Sequence, residues 1–208
     1  MKLNYYIVIL IFVVAGCNSG GLKSTNLSNN FTADAVFCAE HELPLTSFQI
    51  GYPDDVLVFY PEKGQPNSKY IEFADRDGDK FVEGLVISYF PSDNKIDDVG
   101  TEKFLATMIQ SFQSQIAGLE VVFNGKAAFA GKQLYQAHFK YQITDASAGD
   151  KGTYLACIVL VPPVNENTNG VMFLFQGTAN SDIKDFPDFY TKGKMAAVYN
   201  SFQFTKDQ

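Results

Sequence analysis

The 208-residue sequence is short of basic charge: 16 Lys and Arg stand against 23 Asp and Glu, a net charge of −7. That balance excludes a nucleic-acid surface, whose phosphates require clusters of Lys and Arg. It also excludes adsorption to anionic lipid through a basic patch. Histidine is scarce as well, with only His41 and His138. His41 lies between Glu40 and Glu42, but neighbours on an extended chain point to opposite faces. His138 alternates with Gln136 and Lys140, which suits a solvated sheet face or a position under a helix. Neither histidine has a partner at metal-ligand spacing. There is no Gly-x-Ser-x-Gly elbow and no phosphate-cradling Gly-rich loop. The longest apolar run, residues 5–15, falls short of the roughly 20 residues of a membrane-spanning helix. The expectation is a protein that is not an enzyme and needs no cofactor.

What is present begins with that apolar run. Lys2 precedes it, and it ends at Val14-Ala15-Gly16-Cys17. A basic start, a short apolar core and small residues at a cleavage point describe a secretory signal. The ending resembles the lipobox of bacterial lipoproteins. The resemblance implies cleavage before Cys17, acylation (diacylglycerol and palmitate) of its thiol, and a lipid anchor in the cell envelope. Two or more acyl chains anchor stably where one binds marginally. Asn18 and the lack of a following acidic cluster imply a periplasm-facing protein if the bacterium is Gram-negative. Removal of the leader takes away Lys2 and no acid, so the mature body is one charge more negative still.

Residues 18–30 are rich in Ser, Asn and Gly and too polar to bury an ordered segment. They read as a flexible leash. The expected organisation is therefore a signal peptide over 1–16, a lipidated N-terminus and tether over 17–34, and one domain over 35–208. Of the three cysteines, Cys17 is assigned to lipid. Cys38 and Cys157 stay open between a disulfide, which an oxidising compartment permits, and two separate buried thiols.

Extended segments dominate the body. Residues 47–52 and 56–60 are β-like and split by the turn signal Pro53-Asp54-Asp55. Residues 69–74 and 81–90 flank Asp75-Arg76-Asp77-Gly78-Asp79, where Asp-Gly signals a hairpin. Over 102–117, Phe104, Leu105, Met108, Ile109, Phe112 and Ile116 recur at helical spacing, with Thr101 as candidate cap and Gly118 as stop. Strands follow at 119–123 and 126–129, joined by Asn124-Gly125. They continue at 133–141, with Tyr135, Ala137, Phe139 and Tyr141 on one face. Residues 153–161 and 171–176 are continuously apolar, as central strands are. A last helix is expected over 186–199 behind Asp185 and Pro187, then a short closing strand at 201–205. Hairpins with helices grouped between them give an α+β class on an antiparallel sheet.

The segment Phe48-Gln49-Ile50-Gly51-Tyr52-Pro53 resembles the opening strand of PsbP-like and DcrB-like domains. The order of hairpins and helices, Thr178-Ala179-Asn180 and the ending Ser201-Phe202-Gln203-Phe204 resemble them too. Members often carry a Trp soon after the Tyr-Pro step, and this chain has none. The resemblance implies a three-layer α-β-α sandwich around an antiparallel sheet. It brings no catalytic signature, and it implies accessory, scaffolding or transport-associated roles.

The one segment with metal-like spacing is Asp75, Asp77 and Asp79, with Glu83 further on, matching the first half of an EF-hand loop. Lys80 replaces the turn Gly and Val86 the bidentate Glu, so the alternative is a solvated acidic hairpin tip. The expected function is a non-enzymatic, membrane-anchored lipoprotein with a binding or scaffolding role toward an envelope protein. The alternative is a small-ligand or Ca²⁺-binding lipoprotein that uses the acidic hairpin or a helix–sheet pocket.

Overall fold

The computed structural model describes residues 25–63, 69–90, 98–144, 151–163 and 169–205. The signal segment, Cys17 and the leash as far as residue 24 lie outside the described residues. In chain order the elements are β1 (Asn29–Ala33), α1 (Ala35–Glu40), β2 (Phe48–Tyr52), β3 (Leu57–Phe59), β4 (Lys69–Asp77) and β5 (Lys80–Phe90). Next come α2 (Asp98–Gln115), β6 (Glu120–Phe129), β7 (Lys132–Ile143), β8 (Gly152–Val161) and β9 (Gly170–Thr178). A 3-10 helix (Phe186–Tyr190), α3 (Gly193–Asn200) and β10 (Gln203–Phe204) close the described chain. Seven strands form one antiparallel sheet in the order β3-β4-β5-β9-β8-β7-β6, and β1, β2 and β10 form a second, small one.

The two-residue period of a strand divides the apolar residues between two cores. From β8 and β9, Ala156, Ile158, Leu160 and Met172 face α2, which contributes buried Leu105 and Ile109. Their neighbours Cys157, Val159, Phe173 and Phe175 face the other way. There they meet Phe48 and Ile50 of the small sheet and Phe189, Met195, Val198 and Tyr199 of the final helices. Phe175 sits 5.6 Å from the rings of Phe129, Phe189 and Tyr199, and Phe173 sits 5.0 Å from Tyr199 and Phe202. Offset and edge-on aromatic pairs of this kind add to the burial itself.

The α+β expectation on an antiparallel sheet therefore holds. The layer opposite α2 differs from a purely helical one, because the small three-stranded sheet shares it with α1, the 3-10 helix and α3. Other expectations are corrected in detail. The tether does not extend to residue 34, since β1 pairs with β2 and buries Phe31 and Ala33. Helix α2 starts at Asp98, which puts Thr101 inside it as a buried residue and not at its cap. Gly118 does end the helical segment, at φ +73°.

Asn124-Gly125 is not a turn. Both residues lie within β6 opposite Ala137 and Gln136, and the chain reverses instead at Ala130-Gly131. A long partner strand outweighed the local turn preference. The predicted last helix is broken in two, because Gly193, the first residue of α3, takes φ +76° after the 3-10 helix has ended. Asp185 does cap the first piece, in a reciprocal box with Asp188.

Ala130 occupies the left-handed region at φ +48°, where an L side chain costs roughly 1–2 kcal/mol. Ala130→Gly is expected to stabilise the protein by about 0.5–1 kcal/mol after its larger unfolded-state entropy is counted, a rise in Tm of roughly 1–4 °C. A lower Tm in a thermal melt refutes this account of the turn.

Candidate functional site

The acidic hairpin is the first place to look for chemistry. Residues 75–77 continue β4, and the turn is only Gly78-Asp79, with Asp77 opposite Lys80. The five-residue acidic loop expected from the sequence is thereby corrected. Asp75 pairs with Glu83 across the two strands, and both are buried. Asp77 and Asp79 stay exposed at the tip. Among the described residues no three His, Cys, Asp or Glu side chains gather closely enough to hold a metal ion.

Asp75 and Glu83 are engaged by the start of α3. Lys194 Nζ lies 2.7 Å from Asp75 Oδ1 and 2.8 Å from Asp55 Oδ2. The Lys194 backbone N–H donates to Glu83 Oε1 at 2.6 Å. Lys192, in the cap position, makes no side-chain cap hydrogen bond. Glu83 thus caps α3 from a strand 111 residues away, satisfying a helix N-terminal donor from outside the helix. Gly193 is required here: its φ is positive, and a Cβ would collide with the Glu83 carboxylate.

Burial raises Glu83 to about 7, and Asp75 adds to the rise. The N–H groups of Lys194 and Met195 and the Lys194 charge oppose it. Burial also works against the Lys194 ammonium, but Asp55 and Asp75 outweigh it and the net shift is upward. The cluster is a structural clamp joining the turn before β3, the β4–β5 hairpin and α3. Sequence reasoning singled out Asp75 and Glu83 but not Lys194, Asp55 or Gly193. No spacing in the sequence links residues 55, 83 and 194.

The histidines have structural surroundings. His138 stacks on Phe186 at 4.3 Å, and its Nε2 lies 3.1 Å from Gln136 Oε1. Gln136 Nε2 donates to the Ala127 carbonyl at 2.8 Å. Burial lowers His138 to about 4, so it is neutral under the 3-10 helix at ordinary pH. His41 is buried against Phe37. Cys38 and Cys157 are buried thiols. Cys38 Sγ donates to the Thr46 carbonyl at 3.7 Å and Cys157 Sγ to the Ile158 carbonyl at 3.6 Å. Burial pushes the Cys157 thiol up, away from the reactive thiolate.

A hollow opens beside the end of α2. Phe112 and Ile116 form one wall, Phe139 and Tyr141 of β7 the floor, and Leu174 and Gln176 of β9 the far side. Gln176 Nε2 donates to Tyr141 Oη at 3.2 Å, and burial raises Tyr141 to about 12. The cavity volume is about 20 Å³, room for about one water molecule and not for a small-molecule ligand.

The hollow leads onto the sheet face that α2 does not cover. One row of cross-strand neighbours runs Phe59–Glu72–Val86–Leu174, and the next runs Leu57–Ala74–Gly84–Gln176. Phe59 is 43% and Leu57 48% exposed, while Val86 and Leu174 are half-buried. Val58, between the first two, turns into the opposite core. The arrangement leaves a partly exposed, largely apolar strip on this face.

No protein family and no curated protein matches the chain. Among solved structures it is similar to LpqN of Mycobacterium tuberculosis, described as involved in cell envelope biogenesis. That match has 13% identity and a TM-score of 0.46, over 86% of this chain and 91% of that one. It is also similar to the cyanobacterial PsbP protein CyanoP of Synechocystis, at 15% identity and a TM-score of 0.44, over 89% of this chain and 98% of that one.

Glu83 generates a pH prediction. Its folded value of about 7 lies above the ordinary carboxylate value of 4.5, so folding favours the protonated form. The resulting stabilisation is complete below pH 4.5 and is lost as pH rises through 7, a total of about 3 kcal/mol. Urea unfolding is expected to show a wild-type protein less stable at pH 8 than at pH 5, with most of that difference absent in Glu83→Gln. An unchanged pH slope in the variant refutes the assignment.

Proposed function

We propose that this protein is a lipid-anchored, non-enzymatic component of the bacterial envelope, with a binding or scaffolding role. The observation that carries the reading is Cys17 directly after Ala15-Gly16 at the end of an apolar run with a basic start. Acylation there would hold the acidic body at a membrane for which it has no polybasic patch of its own. Eleven residues separate Cys17 from β1, and a chain of that length reaches at most about 40 Å. The body can then work at a distance from the bilayer while remaining confined to its surface.

The body is read as a PsbP-like sandwich. Phe48-Gln49-Ile50-Gly51-Tyr52 does form a strand, α2 lies on an antiparallel sheet, and Gln203-Phe204 returns to pair with that opening strand. A binding role is supported by the apolar side chains left at the surface of the sheet.

The anchor is tested by growing cells that make the protein with an alkyne-tagged palmitate. The wild-type chain is expected to take up label, to enter the detergent phase and to begin at Cys17. Cys17→Ser is expected to be unlabelled. Membrane retention of a labelled Cys17→Ser variant, or a mature N-terminus elsewhere, overturns the reading.

A further inference from the structure

Seven strands at about 4.8 Å spacing make a sheet roughly 29 Å wide, whereas one helix with its side chains covers about 10–12 Å. Among the described residues, α2 is the helix on the face that carries the strip. It packs on β7, reaches the side chains of β8 and β9, and through Phe104 meets Phe90 at the end of β5 at 5.1 Å. The three strands beyond β9 occupy a further width of about 14 Å, close to that of one more helix. Among the described residues, Phe81 covers part of this area, lying across Gly84. Leu57, Phe59, Val86 and Leu174 form the remainder of the strip.

The geometry points to a docking site for an amphipathic helix of a partner protein whose polar face is basic, seated on this strip alongside α2. It rests on the binding role proposed above. Three observations select that occupant. The strip offers side chains on a sheet face, and its edge strand β3 is only three residues long, too short to template an added strand. A helix presents an apolar stripe to such a surface. The surroundings carry an acidic excess: Asp54, Asp55 and Glu62 flank β3 and are exposed, and Asp77 and Asp79 are exposed at the β4–β5 tip beside Arg76, which donates to the Asp79 carbonyl at 2.9 Å.

Three nearby lysines are each engaged with an acid, Lys63 with Glu40, Lys69 with Glu72, and Lys194 with both Asp55 and Asp75, so Glu72 is offset and the excess rests on Asp54, on the two acids that share Lys194 and on the acids of the hairpin tip. A basic rim on the partner is therefore complementary. A second copy of this chain, with the same acidic excess, would bring like charge to the same contact.

The test places a photo-crosslinking residue in the full-length lipoprotein, in the cells that make it, at Phe59 or Val86. Controls are exposed Lys103 on α2 and exposed Lys132 at the β6–β7 turn. The expected result is one protein joined at both strip positions and neither control, with the joined segment an amphipathic helix carrying excess Lys and Arg. Leu57→Lys, at an exposed position, is expected to reduce the adduct at position 86 at least tenfold. Adducts to lipid, to a second copy, or to an acidic or extended segment overturn the proposal, as do equal adducts at all four positions. If a control position captures an envelope protein and the strip positions do not, the docking site fails and the binding role stands. If no position yields a protein adduct, both fail.

Discussion

The hairpin of β8 and β9 is apolar on both faces, and the rest of the fold follows from having to cover it twice. A strand with Cys157, Val159, Phe173 and Phe175 on one side and Ala156, Ile158, Leu160 and Met172 on the other leaves neither side for water. Neighbouring strands satisfy its edges, but only other layers can shield its faces. Helix α2 supplies one cover. The other is assembled from segments far apart in the chain: β1 and β2 near its start, and the 3-10 helix, α3 and β10 near its end. That second layer is held by aromatic contacts centred on Phe173, Phe175 and Tyr199, so the two ends of the body depend on the same central strands.

What could be read from the sequence was what repeats along it. Period-two alternation found β7, continuous apolar runs found the central strands, helical spacing found α2, and Asp185 with Pro187 marked the start of the last helical segment. What could not be read was decided by partners distant in sequence. Asn124-Gly125 carries a strong hairpin signal, yet β7 continues past it and its backbone pairing keeps the segment extended. Asn29–Ala33 looks like leash by composition, but Phe31 and Ala33 have a place in the small sheet. The charged clamp was half legible: the acids stood out by spacing, whereas Lys194 and Asp55 gained meaning only when the strands brought them together.

That clamp shows how a costly group serves the fold. Burying the Glu83 carboxylate opposes folding whenever it is ionised. The same carboxylate satisfies the start of α3, where Lys192 offers no cap and Gly193 leaves room for it. Since α3 packs against β2 and β5, a loss at this single acid reaches both sheets. The acidic pair is therefore explained by holding a helix, and it leaves little room for the cation that its spacing suggested.

The two covers are unequal, and the inequality has a direction. The layer containing β1 is the one into which the N-terminal segment runs, and it lies on the face opposite α2. The anchor proposed at Cys17 would therefore join the body on the side away from the half-open sheet face. Leu57 and Phe59 point out on the other side, while Val58 between them packs against the core that holds Phe31 and Ala33 of β1. An anchor that entered through the α2 layer would compete for the strip. One that enters through the opposite layer would leave the strip clear, so the proposed tether at Cys17 and the proposed docking beside α2 are compatible within one small body.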